Sequence, residues 1–238
     1  MATQDILSQD EIDALLHGVS DGDIATEVDA GNENISTYDL SSQDRIVRGR
    51  MPTLEMVNER FARYTRISLF TLLRRTTEVS VSGIQIMKFS EYIHSLYVPT
   101  SLNIIKIKPL KGNALFILDS KLVVKLVDTF FGGNGRHVKI EGREFTPTEN
   151  RIVQLVLNRA FKDMEEAWRS IQPLQFEFVG SEVNPALANI VSPSEVVIVC
   201  AFQIEFDGGG GSLQLTLPYS MIEPIREILD AGVQSETG

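Results

Sequence analysis

The feature of this sequence that most constrains its fold is an order of elements that occurs twice. Between about residues 52 and 230, each half has the apolar spacing of a long helix, three strands and a short helix. At an offset of 100, similar residues coincide: Leu115, Ile117, Ser120, Leu122 and Gly132 fall on Leu215, Leu217, Ser220, Ile222 and Gly232. The repeat predicts one domain of two similar halves related by a pseudo-twofold axis.

The first half is predicted to contain a helix over 53–75, strands over 79–89, 101–109 and 113–118, and a helix capped by Ser120 that stops at Gly132. In the second half, a capping box from Thr146 to Glu149 opens a helix to about residue 169. Strands follow over 174–183, 196–206 and 213–218, and Ser220 caps a last helix. Short loops between consecutive strands favour antiparallel pairing, so we expect an α+β fold, arranged as an α/β/α sandwich.

Charge divides the chain at residue 44. The first 44 residues hold eleven acidic side chains and no Lys or Arg, whereas the remaining 194 hold 22 basic and 21 acidic side chains, a net charge of +1. A nearly neutral body with an acidic tail is a poor binder of nucleic acid. The sequence has no signal peptide and no apolar stretch long enough to enter a bilayer directly.

The acidic stretch begins with the signals of one short amphipathic helix, over about 9–17. Ser8 is its predicted N-cap, Glu11 completes a capping box, and Gly18 follows its end. The apolar residues Ile12, Leu15 and Leu16 lie on one stripe. So short a helix is marginal alone, and its stripe needs a surface to cover, either the chain's own body or a partner's groove.

Residues 18–44 are rich in Asp, Glu, Gly, Asn and Ser, a composition that predicts a disordered tether. Random-coil scaling gives a root-mean-square reach of about 30 Å. A capped helix on such a tether favours capture of a partner in solution, with Ile12, Leu15 and Leu16 as anchors.

Catalytic groups are scarce, and no metal site or cofactor is predicted. His17, His94 and His137 lack the spacing of zinc ligands, and Cys200 lies in an apolar strand where a buried structural thiol is expected. The segment 132–136, Gly-Gly-Asn-Gly-Arg, follows a helix instead of joining a strand to one, so it is no phosphate-binding loop. It reads either as a helix C-cap or as a docking loop beside Phe130 and Phe131. The glycines of 207–211 are interpreted as a hairpin turn.

Several segments together resemble the bacterial flagellar motor switch protein FliM family, over nearly the whole chain and least in the tether. They are residues 7–16, 44–55, 58–63, 131–136, 138–146 and 218–227. The resemblance implies a non-enzymatic component of the cytoplasmic ring (C-ring) that controls the direction of flagellar rotation in chemotaxis. It places the protein peripherally at the flagellar basal body, on the cytoplasmic face of the inner membrane.

The resemblance also assigns partners to residues. The phosphorylated response regulator CheY would bind the N-terminal helix, the rotor protein FliG would contact the glycine segment, and neighbouring FliM copies would pack side by side. The residues implied for CheY are Ser8, Glu11, Ile12, Asp13, Leu15 and Leu16, and those for FliG are Gly132, Gly133, Asn134, Gly135 and Arg136.

The resemblance divides the chain into a CheY-binding helix (1–17), a tether (18–44), a middle domain (45–232) and a disordered end (233–238). Family members continue into a domain that pairs with FliN, so we expect this chain to be part of a longer protein.

An alternative comes from the similarity of the middle domain to CheC-type phosphatases, whose active helix carries Asp or Ser, then Glu, then Asn three residues later. Glu55 and Asn58 have that last spacing, but Met51 stands at the leading position. In the second half, Glu149 is followed by Ile152 where Asn is required. The sequence therefore favours the switch protein over the phosphatase.

Overall fold

The computed structural model describes residues 51–133 and 143–231. The first half runs through α1 (Pro52–Leu73), β1 (Thr77–Lys88), α2 (Phe89–Ser95), β2 (Thr100–Lys108), β3 (Ala114–Asp119) and α3 (Ser120–Phe130). The second half contains α4 (Pro147–Trp168), β4 (Gln175–Glu182), a 3-10 turn (Pro185–Leu187), β5 (Val196–Phe206) and β6 (Gly209–Pro218). It closes with α5 (Tyr219–Ile222), a second 3-10 turn (Glu223–Ile225) and α6 (Arg226–Asp230).

The six strands form one sheet in the order β1-β5-β6-β3-β2-β4, and each of its five pairings is antiparallel. Strands β1, β2 and β3 of the first half correspond to β4, β5 and β6 of the second. If each strand is replaced by its counterpart, the same order is obtained in reverse. At the centre, Leu115 pairs with Thr216 and Phe116 with Leu215, two pairs that interchange under the offset of 100. The predicted pseudo-twofold relation of the halves is confirmed.

The two edge strands share an irregularity. The register of β1 against β5 shifts by one residue at Ser82, and that of β4 against β2 shifts by one residue at Val179. A bulge twists the exposed edge of a sheet and blocks its pairing with another chain.

The two long helices, α1 and α4, have 22 residues each and begin with proline, whose fixed φ suits a first helical position. Thr146 and Glu149 form the predicted capping box of α4. The helices pack together, and between them the Ser68 hydroxyl donates to Asp163 Oδ1 at 2.7 Å.

Helices cover both faces of the sheet, as predicted for an α/β/α sandwich, but unequally. On one face α1, α3 and α4 bury a large core that includes Phe61, Phe116 and Phe202. On the other face, the short helix α2 contributes Phe89 and Tyr92 to a smaller core with strand residues such as Leu115. No helix among residues 51–133 and 143–231 has the length and apolar character to cross a membrane.

Three local predictions need correction. The N-cap of α3 is Asp119, whose carboxylate accepts from the Leu122 N–H, and Ser120 is the first helical residue. Ser220 lies inside α5, and the single predicted last helix is divided into three pieces around Pro224, which cannot donate a backbone hydrogen bond. Helix α2 was not predicted, because seven residues give too few apolar repeats to reveal a helix.

Candidate protein-docking site

Helix α3 ends in a left-handed glycine turn. The Gly132 N–H donates to the Thr129 carbonyl at 3.0 Å, and the Gly133 N–H donates to the Asp128 carbonyl at 2.8 Å. With Gly132 at φ +86°, these bonds make a Schellman motif, which satisfies the last carbonyl groups of the helix. The sequence interpretation of Gly132 as a helix C-cap is confirmed.

The two glycines are required for different reasons. At Gly132 a β-carbon would meet nothing within 4 Å, but its positive φ disfavours any L side chain. At Gly133 a β-carbon would lie 2.1 Å from Oδ1 of Asp128. The Asp128 carboxylate therefore occupies the space in which a side chain of residue 133 would stand.

Two aromatic side chains surround this turn on the surface. Phe130 is 37% exposed and Phe131 is 66% exposed, and their rings meet edge to face with centroids 5.5 Å apart. An exposed aromatic pair beside open backbone is a typical protein-docking surface, because aromatic rings anchor interfaces and glycine permits close approach of the partner.

Past this turn, the described chain resumes at Arg143, which is held firmly. The Arg143 guanidinium donates to both carboxylate oxygens of Glu149, at 2.9 and 3.0 Å. Hydrogen bonding to Arg143 lowers the pKa of Glu149 to about 2, with the Thr146 N–H and hydroxyl adding to the effect. Gly133 and Arg143, the described residues on either side of this gap, are thus held by the Schellman motif and by this ion pair.

Only part of the predicted site can be placed. Gly132 and Gly133 lie at the end of α3, whereas Asn134, Gly135 and Arg136 lie outside the described residues. All residues predicted to bind CheY lie outside them as well, namely Ser8, Glu11, Ile12, Asp13, Leu15 and Leu16. The tail helix and tether stay predictions.

The phosphatase-like pair does not form a usable site. Asn58 has an exposed fraction of 0% and faces the sheet, where it is close enough to the Cys200 thiol to affect its pKa. A buried amide cannot orient a water molecule on a bound response regulator. In the second half, Glu149 is engaged by Arg143, and Ile152 belongs to the core.

The described part of the chain contains no cluster of side chains suited to a metal ion. Cys200 is buried, as predicted, and burial raises the pKa of its thiol to about 12, so it is protonated and unreactive. His94 lies in α2, with its Nδ1 2.6 Å from the Ser90 carbonyl. His17 and His137 lie outside the described residues.

Sequence reasoning missed how α3 is fastened to the second half of the domain. Lys125 is buried, and its Nζ donates to the Asp207 carbonyl at 3.1 Å. Asp119 accepts from the N–H of Ser212 at 2.8 Å in addition to capping the helix. The only signal in the sequence was a lysine on the otherwise apolar face of an amphipathic helix.

Comparison with known proteins places residues 47–233 in the family described as "Flagellar motor switch protein FliM". The chain is 71% identical to FliM of Pseudomonas aeruginosa over 99% of its own length and 73% of that protein's. It is 45% identical to FliM of Escherichia coli, over 94% of this chain and 68% of that protein.

Solved structures agree with these relatives. The FliM middle domain of Vibrio alginolyticus is 57% identical and superposes with a TM-score of 0.70, covering 75% of this chain and 100% of that one. A FliG-FliM complex from H. pylori gives a TM-score of 0.70 at 21% identity, covering 74% of this chain and 96% of that one, and at that identity it shows the fold alone.

Proposed function

The chain belongs to the flagellar motor switch protein FliM family, and from that premise we propose that its α3 end is the contact for the rotor protein FliG. The observation that carries the proposal is the exposed Phe131 beside the Gly132–Gly133 turn. The paired rings of Phe130 and Phe131 form an exposed apolar surface at an ordered turn, which the described residues of the domain do not cover. Its placement is explained if a partner covers it.

The chemistry of this surface fits a protein partner. Phe131 supplies an apolar anchor, and the two glycines leave backbone groups accessible around it. The H. pylori structure is that of a FliG-FliM complex, which supports FliG as the partner for a domain of this fold. We assign the contact to Gly132, Gly133, Asn134, Gly135 and Arg136, as the family resemblance implies.

The described residues on either side of the proposed contact are held in place. The Schellman motif holds the chain up to Gly133, and the ion pair with Glu149 holds it from Arg143 onward. Ordered residues that flank a contact lower the entropy lost when a partner binds.

We propose further that the N-terminal segment captures phosphorylated CheY. The helix would bind through Ser8, Glu11, Ile12, Asp13, Leu15 and Leu16, and residues 18–44 would tether it. A tether raises the effective concentration of the captured regulator near the domain. A second contact of the regulator on the domain would then bias the orientation of the rotor.

The remaining assignments follow from membership of the family. Neighbouring copies would pack side by side in the cytoplasmic ring, and FliN would bind the full-length protein through a domain that these residues do not include. The ring would be peripheral, on the cytoplasmic face of the inner membrane. The proposed division is a regulator-binding helix (1–17), a tether (18–44), a middle domain (45–232) and a short end (233–238).

No enzymatic role is proposed. A CheC-type phosphatase needs an accessible Glu and Asn on one helix face, and the burial of Asn58 argues against it. The proposed role of the chain is to bind FliG and phosphorylated CheY and to change the orientation of the rotor.

A titration of purified FliG with the full chain tests the rotor contact. Phe131→Ser should weaken binding by about tenfold or more, the usual loss for an interface anchor. Tyr97→Ser is the matched control, because Tyr97 is 87% exposed and lies in the loop before β2, beside the start of α3 and not beside the glycine turn at its end. Equal affinity of the Phe131→Ser and wild-type chains would refute the proposed contact.

A further inference from the structure

We propose that the tip of the β5–β6 hairpin is the positioning element of the rotor contact, acting through Asp119 and Lys125 at the start and middle of α3. The inference rests on the proposed function, since it concerns how the end of α3 is oriented toward FliG. The hairpin belongs to the second half of the domain, whereas α3 belongs to the first.

The first link lies at the start of α3. The Asp119 carboxylate accepts from the Leu122 N–H at 2.6 Å, which caps the helix. It also accepts from the N–H and the hydroxyl of Ser212 in β6, at 2.8 and 3.0 Å. One carboxylate thus fixes the helix start to the hairpin.

A glycine makes this approach possible. A β-carbon at Gly211 would lie 2.4 Å from Asp119 Oδ1 and 2.6 Å from the Leu122 backbone nitrogen. The backbone nitrogen cannot rotate away as a side chain could. The predicted hairpin turn over 207–211 is shorter in the structure, because only Asp207 and Gly208 lie between the strands and Gly209, Gly210 and Gly211 pair within β6. Gly211 also allows α3 to approach the sheet closely.

The second link lies six residues further along the helix. The Lys125 Nζ donates to the Asp207 carbonyl at the hairpin tip, and the Lys125 side chain is buried. Lysine is seldom buried without such partners, because its charge must be satisfied. The bond to the Asp207 carbonyl satisfies this charge in part and connects the middle of α3 to the hairpin.

Two fixed points set the direction of a helix. The far end of α3 carries Phe131, Gly132 and Gly133, about 20 Å from Asp119 at 1.5 Å per residue. A tilt of about 10° at the helix start would therefore displace Gly132 by about 3 Å, more than a complementary interface tolerates. The Lys125 bond opposes such a tilt, so Lys125 acts as a positioning residue.

The test is a titration of purified FliG with full-length variants of the chain. Lys125→Met should weaken binding by about fivefold, within the range that coupled positions produce, whereas Lys125→Arg should keep most of the affinity because it retains a donor. Ser212→Ala removes one bond of the Asp119 link and should weaken binding by about twofold. If Lys125→Met fails to fold, Ser212→Ala tests the proposal in its place.

Phe176→Leu is the control for stability, since Phe176 is buried in the edge strand β4, away from α3. It should lower the melting temperature at least as much as Lys125→Met without loss of FliG affinity. The positioning claim is overturned if Lys125→Met and Ser212→Ala bind like the wild-type chain, or if Phe176→Leu loses equal affinity. Failure of the wild-type chain to bind FliG would instead remove the proposed function, and the positioning claim with it.

Discussion

Gly133 lies against Asp128 so closely that a β-carbon at residue 133 would come within 2.1 Å of the Asp128 carboxylate. The same glycine donates its N–H to the Asp128 carbonyl at 2.8 Å. This residue pair closes the Schellman motif and leaves the end of α3 open on its outer side. The turn is built on this pair, and the proposed FliG contact would depend on it as well.

Alanine substitutions should separate the stability of the turn from its part in the proposed contact. Gly132→Ala places a side chain at φ +86° and should lower the free energy of unfolding by about 1 to 2 kcal/mol. Gly133→Ala requires the Asp128 side chain to rotate away from residue 133 and should cost about 1 kcal/mol or less. Both should weaken FliG binding. Urea denaturation and titration with FliG measure the two effects.

Gly180→Ala is the control for these variants, because a β-carbon there meets nothing within 4 Å and its φ is not positive. It should leave stability and FliG affinity unchanged. If Gly132→Ala proved no more destabilising than Gly180→Ala, the left-handed turn would be wrongly assigned.

The Arg143–Glu149 ion pair gives a pH-dependent prediction. Folding lowers the pKa of Glu149 to about 2, so the ionised carboxylate stabilises the folded chain at neutral pH, and this contribution is lost as the pH falls from about 4.5 toward 2. Arg143 is half exposed, which screens the pair. Glu149→Gln should therefore lower the free energy of unfolding by about 1 to 2 kcal/mol at pH 7.

The destabilisation by Glu149→Gln should shrink toward zero near pH 2, as measured by denaturant unfolding across the pH range. Glu166→Gln breaks the exposed pair with Arg169 and should cost less than about 0.5 kcal/mol at pH 7. A Glu149→Gln deficit that stayed constant from pH 7 to pH 2 would contradict the role of the ionised carboxylate.

The chain should not accelerate the loss of phosphate from CheY. Asn58 is buried and cannot meet the attacking water, so the dephosphorylation rate with the full chain should equal the spontaneous rate. Phosphate release from phosphorylated CheY measures it. An acceleration that disappeared in Asn58→Ala would reinstate the phosphatase.

The tail prediction is tested by the double variant Ile12→Ala and Leu15→Ala. Loss of two anchors should weaken binding of phosphorylated CheY by more than about tenfold while the melting temperature of the domain stays the same. His17→Ala is the control, because helical spacing places residue 17 away from the apolar stripe. Unchanged CheY affinity in the double variant would show that the anchors are misassigned.

The sequence was most informative where local rules and the repeat agreed. The Thr146–Glu149 capping box, the all-antiparallel sheet and the pairing of Phe116 with Leu215 about the predicted axis each follow from short-range patterns or from the offset of 100. Strand β5 was predicted with its observed bounds, Val196–Phe206, because an apolar run over 196–202 is followed by an alternation of polar and apolar residues over 203–206 and then by the turn residues Asp207 and Gly208.

The contacts between α3 and the β5–β6 hairpin, which we propose to position the FliG contact, could not be predicted from the sequence. Lys125 and Asp207 are 82 residues apart, and no local rule relates a helix lysine to a distant hairpin carbonyl. The cap of α3 was wrongly given to Ser120 because Asp119 and Ser120 are both good caps. In the structure it is the Asp119 carboxylate, held also by Ser212, that accepts from the Leu122 N–H. Both the Lys125–Asp207 bond and the choice of Asp119 as N-cap depend on contacts between residues far apart in the sequence.

Photocrosslinking in cells tests the central claim most directly. A photoreactive residue in place of Phe131 and, separately, one in place of Tyr97 compare two exposed positions of the same domain. A covalent product with FliG should form from position 131 and not from position 97. A product from position 97 with none from position 131 would contradict the assignment of the rotor contact to the end of α3.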